Sequence, residues 1–221
     1  MRGGMAQGVF VQKFENCVIC EVYKQYHERP IRALYENISI LISHMSDEAY
    51  GLHRKANTDS LTGLLNRTSF DDVIDQEVKR SKRMDGILLT LVMFDLDHFK
   101  EINDDGGHLV GDYYLVEFAA LLSEITRGTD FVFRTGGDEF TVLLIGVQEN
   151  EMLHYIDRVQ EAIARWNANK DRPHSYTMAA SAGGACLNDF EFNIDKCINQ
   201  ADKRMYQNKR ERKASQKNFS H

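Results

Sequence analysis

The stretch Ile87-Leu-Leu-Thr-Leu-Val-Met-Phe-Asp95-Leu-Asp97 carries an apolar run, with a β-branched residue at its centre, straight into two aspartates. The run from Ile87 to Phe94 predicts a buried strand. An aspartate emerging from such a strand has little structural reason to be there, because a buried unpaired carboxylate is costly. Downstream, Phe131 to Arg134 and Phe140 to Ile145 flank Thr-Gly-Gly-Asp-Glu, which predicts a hairpin with polar turn chemistry. Pairing that hairpin beside the first strand brings Asp95, Asp138 and Glu139 together. Three carboxylates in one place repel one another unless a divalent cation sits among them. Oxygen-only ligation with room for water suits Mg²⁺ and a phosphate-bearing substrate. Gly136 and Gly137 lack Cβ atoms, which lets backbone approach a nucleotide closely. Two glycines followed by two acids are, alone, an ordinary turn; the strand-end aspartate beside them makes a candidate site.

Working outward, Asn66 and Thr68 are capping residues for a helix to about Met84, ended by Gly86. Further helices are predicted from about Asp112 to Ile125, Asn150 to Asn167 and Ile194 to Arg212, with a strand from Tyr176 to Cys186. The order helix–strand–helix–strand–strand–helix–strand–helix predicts an α+β fold, a palm-like antiparallel sheet covered by helices. Upstream, Ile31, Leu34, Ile38, Leu41, Met45 and Leu52 keep steps of three and four, a heptad rhythm that fits a pairing helix or one amphipathic helix lying on the domain. Residues 9–28 are read as a further helix. The expected organisation is an N-terminal helical segment over 1–56, a catalytic domain over 57–213 and a basic, polar tail over 214–221.

The chain has 221 residues, 27 Lys and Arg against 33 Asp and Glu, and a formal net charge of −6. That charge is uneven: residues 58–202 carry 13 basic and 26 acidic groups, whereas 203–221 carry 7 basic and 1 acidic. An acidic body disfavours a protein that coats nucleic acid and is compatible with carboxylates gathered for a metal. No apolar run approaches the roughly 18 residues of a membrane span, and the N-terminus has no apolar signal core. With four cysteines in a chain of this size, a reducing cytoplasm is expected. Cys17-Val-Ile-Cys20 has no second pair at metal spacing, so these cysteines, like Cys186 and Cys197, are read as structural.

These motifs together resemble the GGDEF domain, the family of diguanylate cyclases, over about residues 57–213. The resemblance rests on Asp59-Ser-Leu-Thr-Gly-Leu-Leu-Asn-Arg67, Phe94-Asp-Leu-Asp-His-Phe-Lys-Glu-Ile-Asn-Asp104, Gly107-His108 with Gly111-Asp112, Arg134-Thr-Gly-Gly-Asp-Glu-Phe140, Ser181-Ala-Gly-Gly-Ala185 and Ala201-Asp-Lys-Arg-Met-Tyr206. It implies condensation of two GTP to cyclic di-GMP with release of pyrophosphate. By position it makes Asp95, Asp138, Glu139 and the Leu96 carbonyl the ligands of Mg²⁺, with Mn²⁺ as a substitute. Asp138 or Glu139 becomes the proton acceptor. Asn103 and Asp112 become guanine and ribose contacts, and Lys100, Lys209 and Lys213 fall at phosphate positions. Phe99, His108, Gly136 and Gly137 complete the implied substrate pocket. Arg127-Gly-Thr-Asp130 matches the family's RxxD inhibitory site for product.

Three positions depart from the family pattern. Thr135 stands where an aromatic is usual, Gly106 lacks the aromatic before Gly107, and Lys213 replaces an Arg whose planar fork a point charge does not reproduce. The alternative is therefore a degenerate domain that binds GTP or cyclic di-GMP and signals by protein contact. One domain holds one GTP, whereas the product needs two phosphodiester bonds. The enzyme reading thus expects a homodimer paired through the N-terminal helix.

Overall fold

The computed structural model describes residues 57–84 and 86–218. The expected N-terminal helices, the Cys17–Cys20 pair and the last three residues of the tail lie outside the described residues.

The elements are α1 (Arg67–Arg83), β1 (Leu89–Leu96), α2 (Phe99–Gly106), α3 (His108–Ile125), β2 (Phe131–Arg134), β3 (Glu139–Ile145), α4 (Glu149–Ala168), β4 (Ala180–Cys186), a 3-10 turn (Leu187–Phe190) and α5 (Ile194–Asn218). Asn66 caps α1 as expected, its side chain accepting from the Ser69 N–H at 3.0 Å. Gly86, at φ +76°, turns the chain into β1. The four strands run β2-β3-β1-β4, and every neighbouring pair is antiparallel. The palm-like α+β expectation holds.

Side chains alternate across the sheet with period two. Val92, Phe94, Phe140, Val142 and Leu144 share a core with Tyr114 and Phe118 of α3 and Val159 of α4. Leu89, Leu91, Phe133 and Leu143 face the other way, onto Phe70 and Ile74 of α1 and Cys197 and Ala201 of α5. Cys197 is core as expected, and burial pushes its thiol up to about 12. The glycines of β4 set the layer spacing. A Cβ on Gly183 would stand 2.1 Å from the Met205 backbone nitrogen of α5, and one on Gly184 would stand 2.4 Å from Met152 Sδ of α4. Among the described residues, no helix is long and apolar enough to cross a membrane.

Several boundaries differ from the sequence expectation. β1 runs two residues later, so Asp95 lies within the strand, paired with Glu139 on one side and Ser181 on the other. The segment expected as a loop after Asp97 is a helix, α2, and α3 starts at His108 instead of Asp112. Asn, Asp and Gly mark turns by local propensity, and packing of Ile102 into the core overrides it here. β4 begins at Ala180 instead of Tyr176, and α5 continues past Arg212 to Asn218.

Candidate active site

The acidic cluster forms where the end of β1 meets the start of β3. Asp95 is one step inside β1, and Glu139 pairs with it directly across the ladder. Asp138 sits in the turn before β3, and its carbonyl accepts from the Leu96 N–H at 3.2 Å. Burial, and then the charge of Asp95, push the Asp138 carboxyl above its ordinary value. Glu139 is also pushed up, by burial and then by Asp138, Asp95 and Asp202. Asp202 of α5 is a fourth acid that the sequence reading placed only within a motif.

A lysine forms an ion pair within this cluster. Lys209 of α5 donates to Asp95 Oδ1, and the side chains of the pair are only 27% and 17% exposed. Burial acts to lower the Lys209 pKa, but the hydrogen bond and charge of Asp95, then Asp97 and Asp138, hold it above its ordinary value. Lys209 was expected at phosphate; in the structure it lies on a carboxylate expected to ligate metal. Among the described residues, no group of three or more His, Cys, Asp or Glu is already arranged to hold a metal ion. The donor set nevertheless fits a hard divalent cation, because it offers oxygen alone and the charge of Asp95 helps raise the proton affinity of Asp138 and Glu139.

The turn that carries Asp138 is braced from a distance. Arg134 donates through Nη2 to the Gly137 carbonyl at 2.7 Å and through Nη1 to Asp59 Oδ1 at 3.0 Å. Asp59 also accepts from the Thr62 backbone N–H at 2.8 Å and from its hydroxyl. Burial works to raise the Asp59 carboxyl, and the Thr62 bonds and Arg134 outweigh it, holding it below its ordinary value. Sequence reading used Asp59 and Arg134 as family markers and missed this link between them. A Cβ at Gly136 would stand 2.6 Å from Glu139 Oε2 and 3.1 Å from Glu139 Cβ, so a larger residue there would displace the Glu139 carboxylate; at Gly137 nothing lies within 4 Å of that point. Thr135, one departure from the family, bonds the Thr141 hydroxyl across the hairpin at 3.0 Å.

A second group gathers at the junction of α2 and α3. A Cβ on Gly111 would stand 2.0 Å from Asn103 Oδ1 and 3.2 Å from Phe99 Cζ, so glycine there admits both side chains. Asp112 follows directly. The structure thus brings Phe99 and Asn103 together at Gly111, the residue before Asp112, while Lys100 and His108 are exposed at the starts of α2 and α3. Tyr176 lies against Gly106, where the family's aromatic is missing: its Cε2 would be 3.2 Å from a Cβ at that position. Lys213 falls on α5, beyond the described side chains.

The Arg127–Asp130 pair lies at the far end of β3, six residues and about 20 Å from Glu139 at 3.4 Å per residue. Asp130 Oδ1 accepts from the Ile145 N–H at 3.0 Å. Arg127 and Asp130 line a cavity of about 180 Å³ with Glu151, His154, Tyr155 and Arg158. Arg158 was missed by the sequence reading, because it lies on α4 and reaches the cavity only through the tertiary fold; its Nη2 donates to the Ile125 carbonyl at 2.9 Å.

A family model described as "Diguanylate cyclase, GGDEF domain" matches residues 56–215. The diguanylate cyclase DgcP of Pseudomonas aeruginosa is 36% identical over 194 residues, covering 83% of this chain and 28% of that protein. The diguanylate cyclase DgcS of Shewanella oneidensis is 36% identical over 155 residues, covering 70% of this chain and 50% of that protein. The chain therefore spans half or less of these curated relatives. A solved structure of the coiled coil and GGDEF domain of DgcB from Caulobacter crescentus, in complex with c-di-GMP, has the same fold. It superposes with a TM-score of 0.71 at 23% identity, covering 81% of this chain and 94% of that one.

Proposed function

The chain belongs to the GGDEF family of diguanylate cyclases, and from that premise we propose that it condenses two GTP molecules into cyclic di-GMP with release of two pyrophosphates. The observation that carries this reading is the acidic cluster of Asp95, Asp138 and Glu139 at the meeting of β1 and the turn, with Lys209 beside it.

Each of the two bonds forms when a ribose 3′-oxygen attacks the α-phosphorus of the facing GTP in line with departing pyrophosphate. Asp95, Asp138, Glu139 and the Leu96 carbonyl would hold Mg²⁺ or Mn²⁺, which when bound lowers the cost of the 3′-alkoxide and offsets triphosphate charge. Asp138 takes the 3′-hydroxyl proton, a role served by a carboxyl with raised proton affinity. Asn103, offering both donor and acceptor, reads the guanine edge, and Asp112 holds the same nucleoside beside Phe99. Gly136 and Gly137 keep the turn clear of side chains where the phosphates pass. Lys100, Lys209 and Lys213 meet the triphosphate.

Two sites must face each other, so the active form is a homodimer; the heptad segment within 1–56 supplies the pairing, ahead of a domain over 57–213 and a short tail. Product binds in the cavity of Arg127, Asp130 and Arg158 and inhibits, the guanidinium forks suiting phosphate and guanine edges. The expected compartment is the cytoplasm, with GTP as the substrate, no nucleic-acid partner and no membrane span.

Incubation of the purified protein with Mg²⁺ and GTP, with ATP in parallel, followed by chromatography, tests the reading. Cyclic di-GMP from GTP, lost in Asp138→Ala and Glu139→Ala, is the expected result. A folded dimer that makes no cyclic dinucleotide overturns it, and GTP binding without turnover would point to the signalling-module alternative. Sedimentation showing a monomer at active concentrations would count against pairing.

A further inference from the structure

Asp97 has no assigned role, yet it is 6% exposed, two residues beyond Asp95. A carboxylate this deep needs charge and hydrogen-bond partners. Ser181 Oγ donates to its Oδ1 at 2.8 Å, and the Asp97 N–H donates to the Ala179 carbonyl at 2.8 Å. The opposing charge comes from Arg212 of α5, whose Nε is 3.7 Å from Asp97 Oδ2. Arg212 Nη1 also donates to Gln160 Oε1 at 2.8 Å and to the Ala180 carbonyl at 2.7 Å, while Gln160 Nε2 donates to the same carbonyl at 2.9 Å. One guanidinium thus ties α5 to α4, β4 and the end of β1.

Lys209 and Arg212 are three residues apart on one helix and so lie on neighbouring parts of one face. They meet two carboxylates that are themselves two residues apart: Lys209 takes Asp95 and Arg212 takes Asp97. We propose that Arg212 is a positioning residue: by neutralising Asp97 it keeps Lys209 on the Asp95 side of the site, where the triphosphate of GTP binds. This rests on the function proposed above. Without the guanidinium, Asp97 becomes an uncompensated buried charge within the electrostatic reach of Lys209 and draws the ammonium away from substrate.

The test measures GTP KM and kcat, with GTP binding by calorimetry, for wild type, Arg212→Gln, Asp97→Asn and the double variant. Arg212→Gln should raise KM about tenfold with kcat changed less than about threefold. Asp97→Asn, having no charge to neutralise, should stay within about twofold of wild type. The double variant should match Asp97→Asn, a rescue that loss of mere structural support would not give. An unchanged KM in Arg212→Gln, or a double variant as impaired as Arg212→Gln alone, overturns the proposal. Should Arg212→Gln fail to fold, the double variant decides: KM equal to that of Asp97→Asn supports the role, and a tenfold excess over it overturns the role. A wild type that neither binds nor turns over GTP overturns the underlying reading instead, and is distinguished by failing before any variant is compared.

Discussion

Lys209 on α5 donates a hydrogen bond to Asp95 on β1, joining residues 114 positions apart in sequence. The contact sets a cation of the last helix directly on β1, beside the acidic cluster. On the function proposed above, Asp95 would meet metal, phosphate and lysine together, so the binding of one would change the electrostatics felt by the others.

Replacing that ammonium should be read most clearly in substrate affinity. Lys209→Met is expected to raise GTP KM by about 10–100-fold, the range for one charge-assisted contact of about 1.5–3 kcal/mol. Steady-state kinetics at saturating Mg²⁺ checks this. An unchanged KM would remove Lys209 from the phosphate site.

Asp138 should show opposite effects on stability and turnover. A carboxyl whose folded pKa lies above its unfolded value destabilises the folded state at neutral pH, and this cost disappears as pH falls through the folded value. Asp138→Asn is therefore expected to raise the Tm of the metal-free protein by about 2 °C at pH 7. Below pH 4 that gain should vanish, while turnover at pH 7 falls by about a thousandfold or more. Thermal melts across pH, beside product chromatography, measure both; a lowered Tm at pH 7 contradicts the electrostatic account.

At the distant cavity, Arg158 should matter as much as the pair legible in the sequence. Arg127→Ala and Arg158→Ala are each expected to weaken inhibition by cyclic di-GMP about tenfold or more, with initial rates in its absence kept within about twofold. Progress curves with added product test this. If inhibition persisted unchanged in both variants, the cavity would not be the inhibitory site.

Gly183 offers a purely structural test of the sheet–helix spacing. Gly183→Ala places a Cβ 2.1 Å from the Met205 backbone nitrogen and 2.3 Å from the Ala201 carbonyl oxygen, and neither can move aside as a side-chain tip would. A loss of about 3 kcal/mol or more is expected in denaturant unfolding, or failure to fold. Near-neutral stability would mean that α5 can shift away from β4.

Most of this fold was legible because its elements are announced locally. The apolar run before Asp95, the Asn66 cap, the Gly86 break and the two-glycine turn each act over a few residues, where propensity and patterning decide. The helix α2 was not legible, since Asn103-Asp-Asp-Gly106 reads as loop until the burial of Ile102 is known. Exact strand ends were also beyond reach, because register is fixed by the partner strand, and here it draws Asp95 inside β1.

By itself the sequence determined the family, the order of the elements and the carboxylates of the site, because these lie within contiguous motifs whose chemistry is local. Tertiary structure alone decided which charges meet. It put Lys209 on Asp95, Arg212 on Asp97, Arg134 between Asp59 and the turn, and Arg158 in the cavity with Arg127. Each of these depends on a helix face and a strand register brought together over tens of residues, and the energy of a charge depends on its neighbours in space, not in sequence.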